Sequence, residues 1–134
     1  MIVLLYYAPE GSTVILEQPE IHLHPAVQSA LADLIITVVK SRKLQVVVES
    51  HSEHLLQRIL RRVSEGSDSP YPSITPDDIR LYFCQTVSGE SRIEKLRLNL
   101  FGGIENYPSD FFGDQLGDIA ARDEAALRRR IAGE

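Results

Sequence analysis

The sequence predicts an α/β fold, and three observations carry that reading. Two short apolar runs, Thr13 to Leu16 and Leu44 to Val48, each finish in polar residues, as parallel strands do where they leave a sheet. Between them, and again after the second, apolar residues recur at three- and four-residue spacing, which is one face of a helix. Further along, two stretches rich in strand-forming residues flank Ser88-Gly89-Glu90 and read as an antiparallel hairpin.

Length and composition bound the answer. The chain has 134 residues, enough for one domain with one core. Its 43% hydrophobic and 25% charged content is that of an ordinary globular protein. The formal charge of −5 argues against a nucleic-acid footprint over the whole surface and leaves room for a local basic patch. Cys84 is the only cysteine, so an intramolecular disulfide and a Cys-rich zinc framework are both excluded. That usage suits a reducing cytoplasm.

The elements follow in order. The apolar run Ile2 to Tyr7 is far short of the roughly 20 residues that span a bilayer, and it lacks the basic lead of a secretory signal. It reads as the helical tail of a core element, and no membrane association is expected. Residues 13–17 form a short buried strand ending in Glu17. Pro19 cannot continue a ladder, so the chain turns there. Pro25 suits the first position of a helix. From Ala26 to Lys40 the apolar face is Val27, Leu31, Leu34, Ile35 and Val38, and Lys40, Arg42 and Lys43 complement the helix dipole at its end.

Leu44 to Val48 is the second strand, followed by Glu49, Ser50 and His51. Ser52 caps the next helix, with Glu53 in its first turn. Leu55, Leu56, Ile59, Leu60 and Val63 are its buried stripe, and Arg58, Arg61 and Arg62 are placed on the solvated side. Ser64 to Thr75 is a loop, and Thr75-Pro76-Asp77-Asp78 is a cap with one helical turn. Ile79 to Thr86 and Arg92 to Asn99 are the hairpin strands, the second with Lys95 and Arg97 on one face and Leu96 and Leu98 on the other. Residues 100–118 are irregular, and Ile119 to Ile131 is a closing helix. The whole divides into a βαβα unit over 1–64 and a hairpin with a C-terminal helical segment over 65–134, within one domain.

The chemistry is expected where the two parallel strands end, because open α/β sheets bind ligands beyond the carboxyl ends of their strands. Glu17 and His51 both lie just past those ends. Neighbouring strands run about 4.8 Å apart, close enough for the two side chains to share a ligand. A carboxylate there suits magnesium, which prefers oxygen ligands and keeps several waters. An imidazole beside it suits a terminal phosphate oxygen. An acid buried beside Ile15 and Leu16 is costly unless compensated, which favours a ligand over a simple strand end facing water.

The run from Val14 to Pro25, Val-Ile-Leu-Glu-Gln-Pro-Glu-Ile-His-Leu-His-Pro, resembles the Walker B and D-loop region of ABC-type ATPases. It is most similar to the branch holding the overcoming-lysogenisation-defect (OLD) and SMC-like ATPases. Val46-Val-Val-Glu-Ser-His-Ser-Glu-His-Leu-Leu56 resembles the switch-histidine loop that follows in those proteins. Asn106-Tyr-Pro-Ser-Asp-Phe-Phe-Gly113 resembles a Pro-x-x-Phe-Phe segment that ends many ATPases of the branch. The resemblance implies part of a P-loop NTPase parallel sheet flanked by helices. It implies Glu17 as the acid that holds Mg2+, Gln18 in place of the glutamate that polarises the attacking water, and His51 as the contact to the γ-phosphate of ATP. His24 falls in the D-loop, which in the family lies at a homodimer interface. A DNA-contacting role rests on the same analogy alone.

Two departures shape the expected function. Gln18 is an amide, which orients water but cannot take its proton, so Glu20 stands as an alternative base. The sequence also contains no Gly-x-x-x-x-Gly-Lys-Ser/Thr loop to cradle phosphates. The expectation is therefore the C-terminal half of an ATPase, lacking an N-terminal partner half, inactive and without bound Mg2+ or ATP when alone. A non-catalytic, self-associating module is the alternative. A zinc hydrolase built on His22, His24, His51 and His54 is a further one. A nuclease centre would need acids on new strands, and Asp77, Asp78, Glu90 and Glu94 lack that spacing.

Overall fold

The structure, a computed structural model, describes residues 2–108. The predicted helix at 119–131 and the Phe111-Phe112 pair lie outside the described residues. Within them the order is α1 (Ile2–Tyr7), β1 (Thr13–Glu17), α2 (Pro25–Arg42), β2 (Gln45–Glu49), α3 (Glu53–Glu65), then β3 (Leu81–Val87) and β4 (Glu90–Leu96). Short 3-10 turns stand at Gly66–Asp68 and Pro76–Asp78. A small parallel sheet and an antiparallel pair, with helices between, make this an α/β fold.

β1 and β2 pair in parallel, Thr13 opposite Gln45 through Glu17 opposite Glu49. Their crossover is α2, which starts where His24 Nδ1 accepts from the Ala26 amide at 3.3 Å and Pro25 takes the first helical position. α2 ends on Lys43 in the left-handed region (φ 52°), whose amide bonds to the Val39 carbonyl. The Arg42 guanidinium reaches back to the carbonyls of Tyr6 and Ala8, so the end of α2 holds the end of α1.

The main core gathers Leu5 and Ala8 with Val14 and Leu16 of β1, Leu31, Ala32, Ile35 and Val38 of α2, Leu44, and Leu55 of α3. Each of its leucine, isoleucine and valine side chains removed from water is worth roughly 1.5–3 kcal/mol. A second, smaller cluster joins Ile36 and Val63 to Ile74. α2 is therefore buried on more than the single predicted face. Ala32 and Ile36 are inside, while Val27, at the start of the helix, is exposed.

Two expectations about burial are corrected. β1 and β2 are not buried on both sides: one face packs on the helices, and the other leaves Ile15 72% and Val47 50% exposed. Alternation, not a continuous apolar environment, is what these strands experience. Nor do the three arginines of α3 form a solvated face. Arg61 is exposed, but Arg62 is 3% exposed and bonds both oxygens of the buried Asp33, at 2.7 and 3.1 Å. Arg58 reaches Asp33 as well, at 2.9 Å, Glu65 also accepts from Arg62, and the Arg62 guanidinium lies 4.3 Å from the Tyr71 ring centroid. The hydrogen bond to Asp33 raises the Arg62 pKa, against the opposing effect of burial. Asp33, unmarked in the sequence reading, is what permits an arginine on the buried stripe.

The β3–β4 hairpin turns through Ser88 (φ 54°) and Gly89 (φ 83°), the two left-handed positions a type I′ turn requires. Its strands are mostly exposed, and only Leu96 is buried. The base of the hairpin is held by neighbouring segments. Ile79 and Leu98 pack on the second cluster. After the hairpin, Asn99 Oδ1 accepts from the amides of Phe101 and Gly103, both at 2.9 Å. That turn brings Gly102 (φ 75°) onto α3, where a Cβ would stand 2.3 Å from the Leu60 carbonyl oxygen.

Candidate functional site

The parallel strands end together, so Glu17 and Glu49 are register partners at one rim of the sheet. The Gln18 amide still donates to the Glu49 carbonyl at 2.9 Å, one residue beyond β1. There the backbone turns sharply: Gln18 sits at φ 41°, and the Ile21 amide bonds back to its carbonyl at 3.1 Å. His22 is also left-handed, at φ 66°. Such conformations cost non-glycine residues on the order of 1–3 kcal/mol each and gather at ligand sites. The turn opens a shallow cleft lined by Glu17, Gln18, Ile21 and Glu49.

His51 stands at the same rim. Its side chain is 80% exposed, and Nε2 lies 3.2 Å from Glu49 Oε1. Glu17, Gln18 and Glu49 thus share the cleft, and His51 joins them through Glu49. Glu17 is exposed, which corrects the expectation of a buried acid: it shares the open face of the sheet with Ile15. Glu49 was missed as a site residue. Its signal was present, since it ends its strand as Glu17 ends the first.

Glu20 does not line the cleft. It is 8% exposed, and its Oε1 accepts from the His51 amide at 2.8 Å. Oε2 is buried without a hydrogen-bond partner among the described residues. His24 serves as the cap of α2. Among the described residues, no three or more His, Cys, Asp or Glu side chains form a group that could hold a metal ion, so His22, His24, His51 and His54 do not come together as a ligand set. The cleft instead offers carboxylate and amide oxygens, the donor chemistry of an ion that retains waters and takes further ligands from phosphate.

Residues 5–56 match the family model of an AAA ATPase domain. The matched stretch contains β1, α2, β2 and the whole cleft, and it supports an AAA-type ATPase. Residues 74–121 match a second family model, a protein of unknown function (DUF3696), which covers the hairpin and the Gly102 turn. No curated protein and no solved structure matches the chain. No helix among the described residues is long and apolar enough to cross a membrane.

Proposed function

We propose that the rim formed by Glu17, Gln18, Glu49 and His51 is the magnesium and γ-phosphate end of an ATPase site of the OLD- and SMC-like branch, completed by a segment that carries a phosphate-binding loop. The observation that carries this reading is the in-register pair Glu17 and Glu49 beside the His51 imidazole, inside the stretch that matches an AAA ATPase domain. Glu17, with Glu49 next to it, would hold Mg2+ through water, and His51 would hydrogen-bond a terminal phosphate oxygen. When bound, the ion supplies charge neutralisation for phosphoryl transfer. Gln18 can orient an attacking water through its amide but cannot accept the proton.

The bare sheet face also supports a completing segment. Parallel sheets are ordinarily covered on both sides. Here Ile15 and Val47, together with Val3, Leu4, Tyr6 and Tyr7 of α1, remain exposed.

The test is a turnover assay on this chain, alone and with a complementing segment bearing Gly-x-x-x-x-Gly-Lys-Ser/Thr. The chain alone should show no Mg2+-dependent hydrolysis. The complemented protein should hydrolyse ATP slowly, lose at least about tenfold in rate with Glu17→Gln, and gain rate with Gln18→Glu, as general-base contributions of about 10²–10⁴ allow. Robust hydrolysis by the chain alone, or indifference to Glu17→Gln, would overturn the assignment.

A further inference from the structure

We infer that Glu20 and Gln28 are positioning residues that lock the loop after β1 to the loop after β2, so that Gln18 and His51 are presented as one rigid rim. This rests on the reading of that rim as the phosphate end of the site. Two independent ties join the loops. Glu20 Oε1 accepts from the His51 amide at 2.8 Å. The Gln28 side chain spans the same gap: its Nε2 donates to the Leu23 carbonyl at 2.8 Å, and its Oε1 accepts from Ser52 Oγ at 2.6 Å. Ser52 Oγ in turn accepts from the Leu55 amide at 3.0 Å as the cap of α3. The loop that carries Gln18 and the helix that follows His51 are therefore continuous through side chains.

The choice of residue at position 20 argues for positioning over simple stability. His51 lies between β2 and α3, where its amide has no place in the ladder or the helix, so some acceptor is required. A neutral acceptor would satisfy one amide at less cost than a buried carboxylate whose second oxygen has no hydrogen-bond partner among the described residues. What the charge adds is a stronger hydrogen bond. It acts on the His51 backbone and leaves the imidazole beside Glu49, which lines the cleft. The ties also brace a loop that carries two left-handed residues, Gln18 and His22, which would relax if released.

Amide hydrogen exchange on the intact chain tests the lock directly. Glu20→Ala should speed exchange at the His51 amide by about tenfold or more, the effect of losing a hydrogen bond to a charged group. Glu20→Gln should restore most of the protection, because it keeps an acceptor there. Amides in the centre of α2 should not change. Should Glu20→Ala fail to fold, Gln28→Leu carries the test through faster exchange at the Leu55 amide, whose acceptor Ser52 Oγ loses its tie to Gln28, and a shifted His51 imidazole resonance. Unchanged His51 exchange in Glu20→Ala, or an unmoved imidazole resonance in Gln28→Leu, would overturn the inference. In the complemented ATPase the same variants should lower kcat and leave KM near its original value. If the lock is lost by exchange yet turnover is untouched, the lock stands as structure but the positioning role fails. If Glu17→Gln has no effect either, the fault lies in the ATPase reading itself.

Discussion

The two strand pairs of this molecule are built on opposite principles. β1 and β2 are parallel, so they need a crossover, and that crossover, α2, supplies their cover. Their inner face meets a core drawn from α1, α2 and α3, and their ends are tied by Glu20 and Gln28. β3 and β4 are antiparallel and joined by two residues, so their pairing is local and needs little core. They stand out from the body and are fastened near the base, where Ile79 and Leu98 pack on the second cluster. The strained, polar turn that lines the cleft lies in the packed unit. Strain at Gln18 and His22 is tolerable there because burial and side-chain ties over-determine the backbone.

If that contrast holds, the packed unit should break at its buried charges before anything else. Asp33→Ala would leave Arg62 nearly fully buried with Glu65 as its remaining acid and would strip Arg58 of its partner. Removing one member of a buried pair costs about 3–5 kcal/mol, and urea unfolding should show a loss of that order. Replacing both partners together, Asp33→Leu with Arg62→Met, should recover most of it, since a well-packed apolar pair avoids the uncompensated charge. A double variant no more stable than Asp33→Ala would mean that Arg62 matters mainly through Tyr71.

The seam between the two regions should give a middling effect. Gly102→Ala places a Cβ against the Leu60 carbonyl at a backbone angle that side chains avoid. A loss of about 1–3 kcal/mol is expected. Exchange should rise first in residues 97–104 and only later in β1 and β2. Equal loosening of both regions would show that the hairpin segment is part of the same cooperative unit.

The packed unit was the more legible of the two in sequence, for physical reasons. Val14-Ile15-Leu16 running into Glu17, the proline at 25, and the Ser52 cap are local signals, and each names a single backbone event. The same is true of Ser88-Gly89. What was not legible depends on who faces whom. The run Thr13 to Leu16 reads as buried on both sides, but nothing in it reveals that Ile15 and Val47 share an uncovered face. Arg62 looks like one of three surface arginines, and only the crossing of α2 over α3 places Asp33 beneath it. Glu20 looks like a spare base because a sequence shows its charge and not the His51 amide that occupies it. At the rim, the strand ends pointed to Glu17 and His51, while Glu49, the register partner of Glu17 and the residue nearest the His51 imidazole, passed as an ordinary end of strand.

The smallest effect should come from the tether between α2 and the turn that leads into β3. Lys40 Nζ lies 2.7 Å from Asp78 Oδ1, and Asp78 Oδ2 accepts from the Thr75 amide and hydroxyl at 2.8 and 3.0 Å. These contacts, the Lys40 hydrogen bond foremost, hold the Asp78 carboxyl below its ordinary range. A carboxylate whose pKa is lowered on folding stabilises the fold above its unfolded pKa, near 3.9, and that contribution drains away as pH falls through the lower folded value. Lys40→Met should therefore make stability fall less steeply between about pH 5 and pH 2, with a loss at neutral pH under about 1 kcal/mol because the pair is a third exposed. Part of the slope should persist, since Thr75 still bonds Asp78 and Glu65 is lowered by Arg62 and Arg61 in the same sense. Urea midpoints measured across that range in both proteins decide the matter. An unchanged slope in Lys40→Met would assign the acid dependence to the Arg62 cluster, and the tether would then contribute position to the hairpin base without contributing stability.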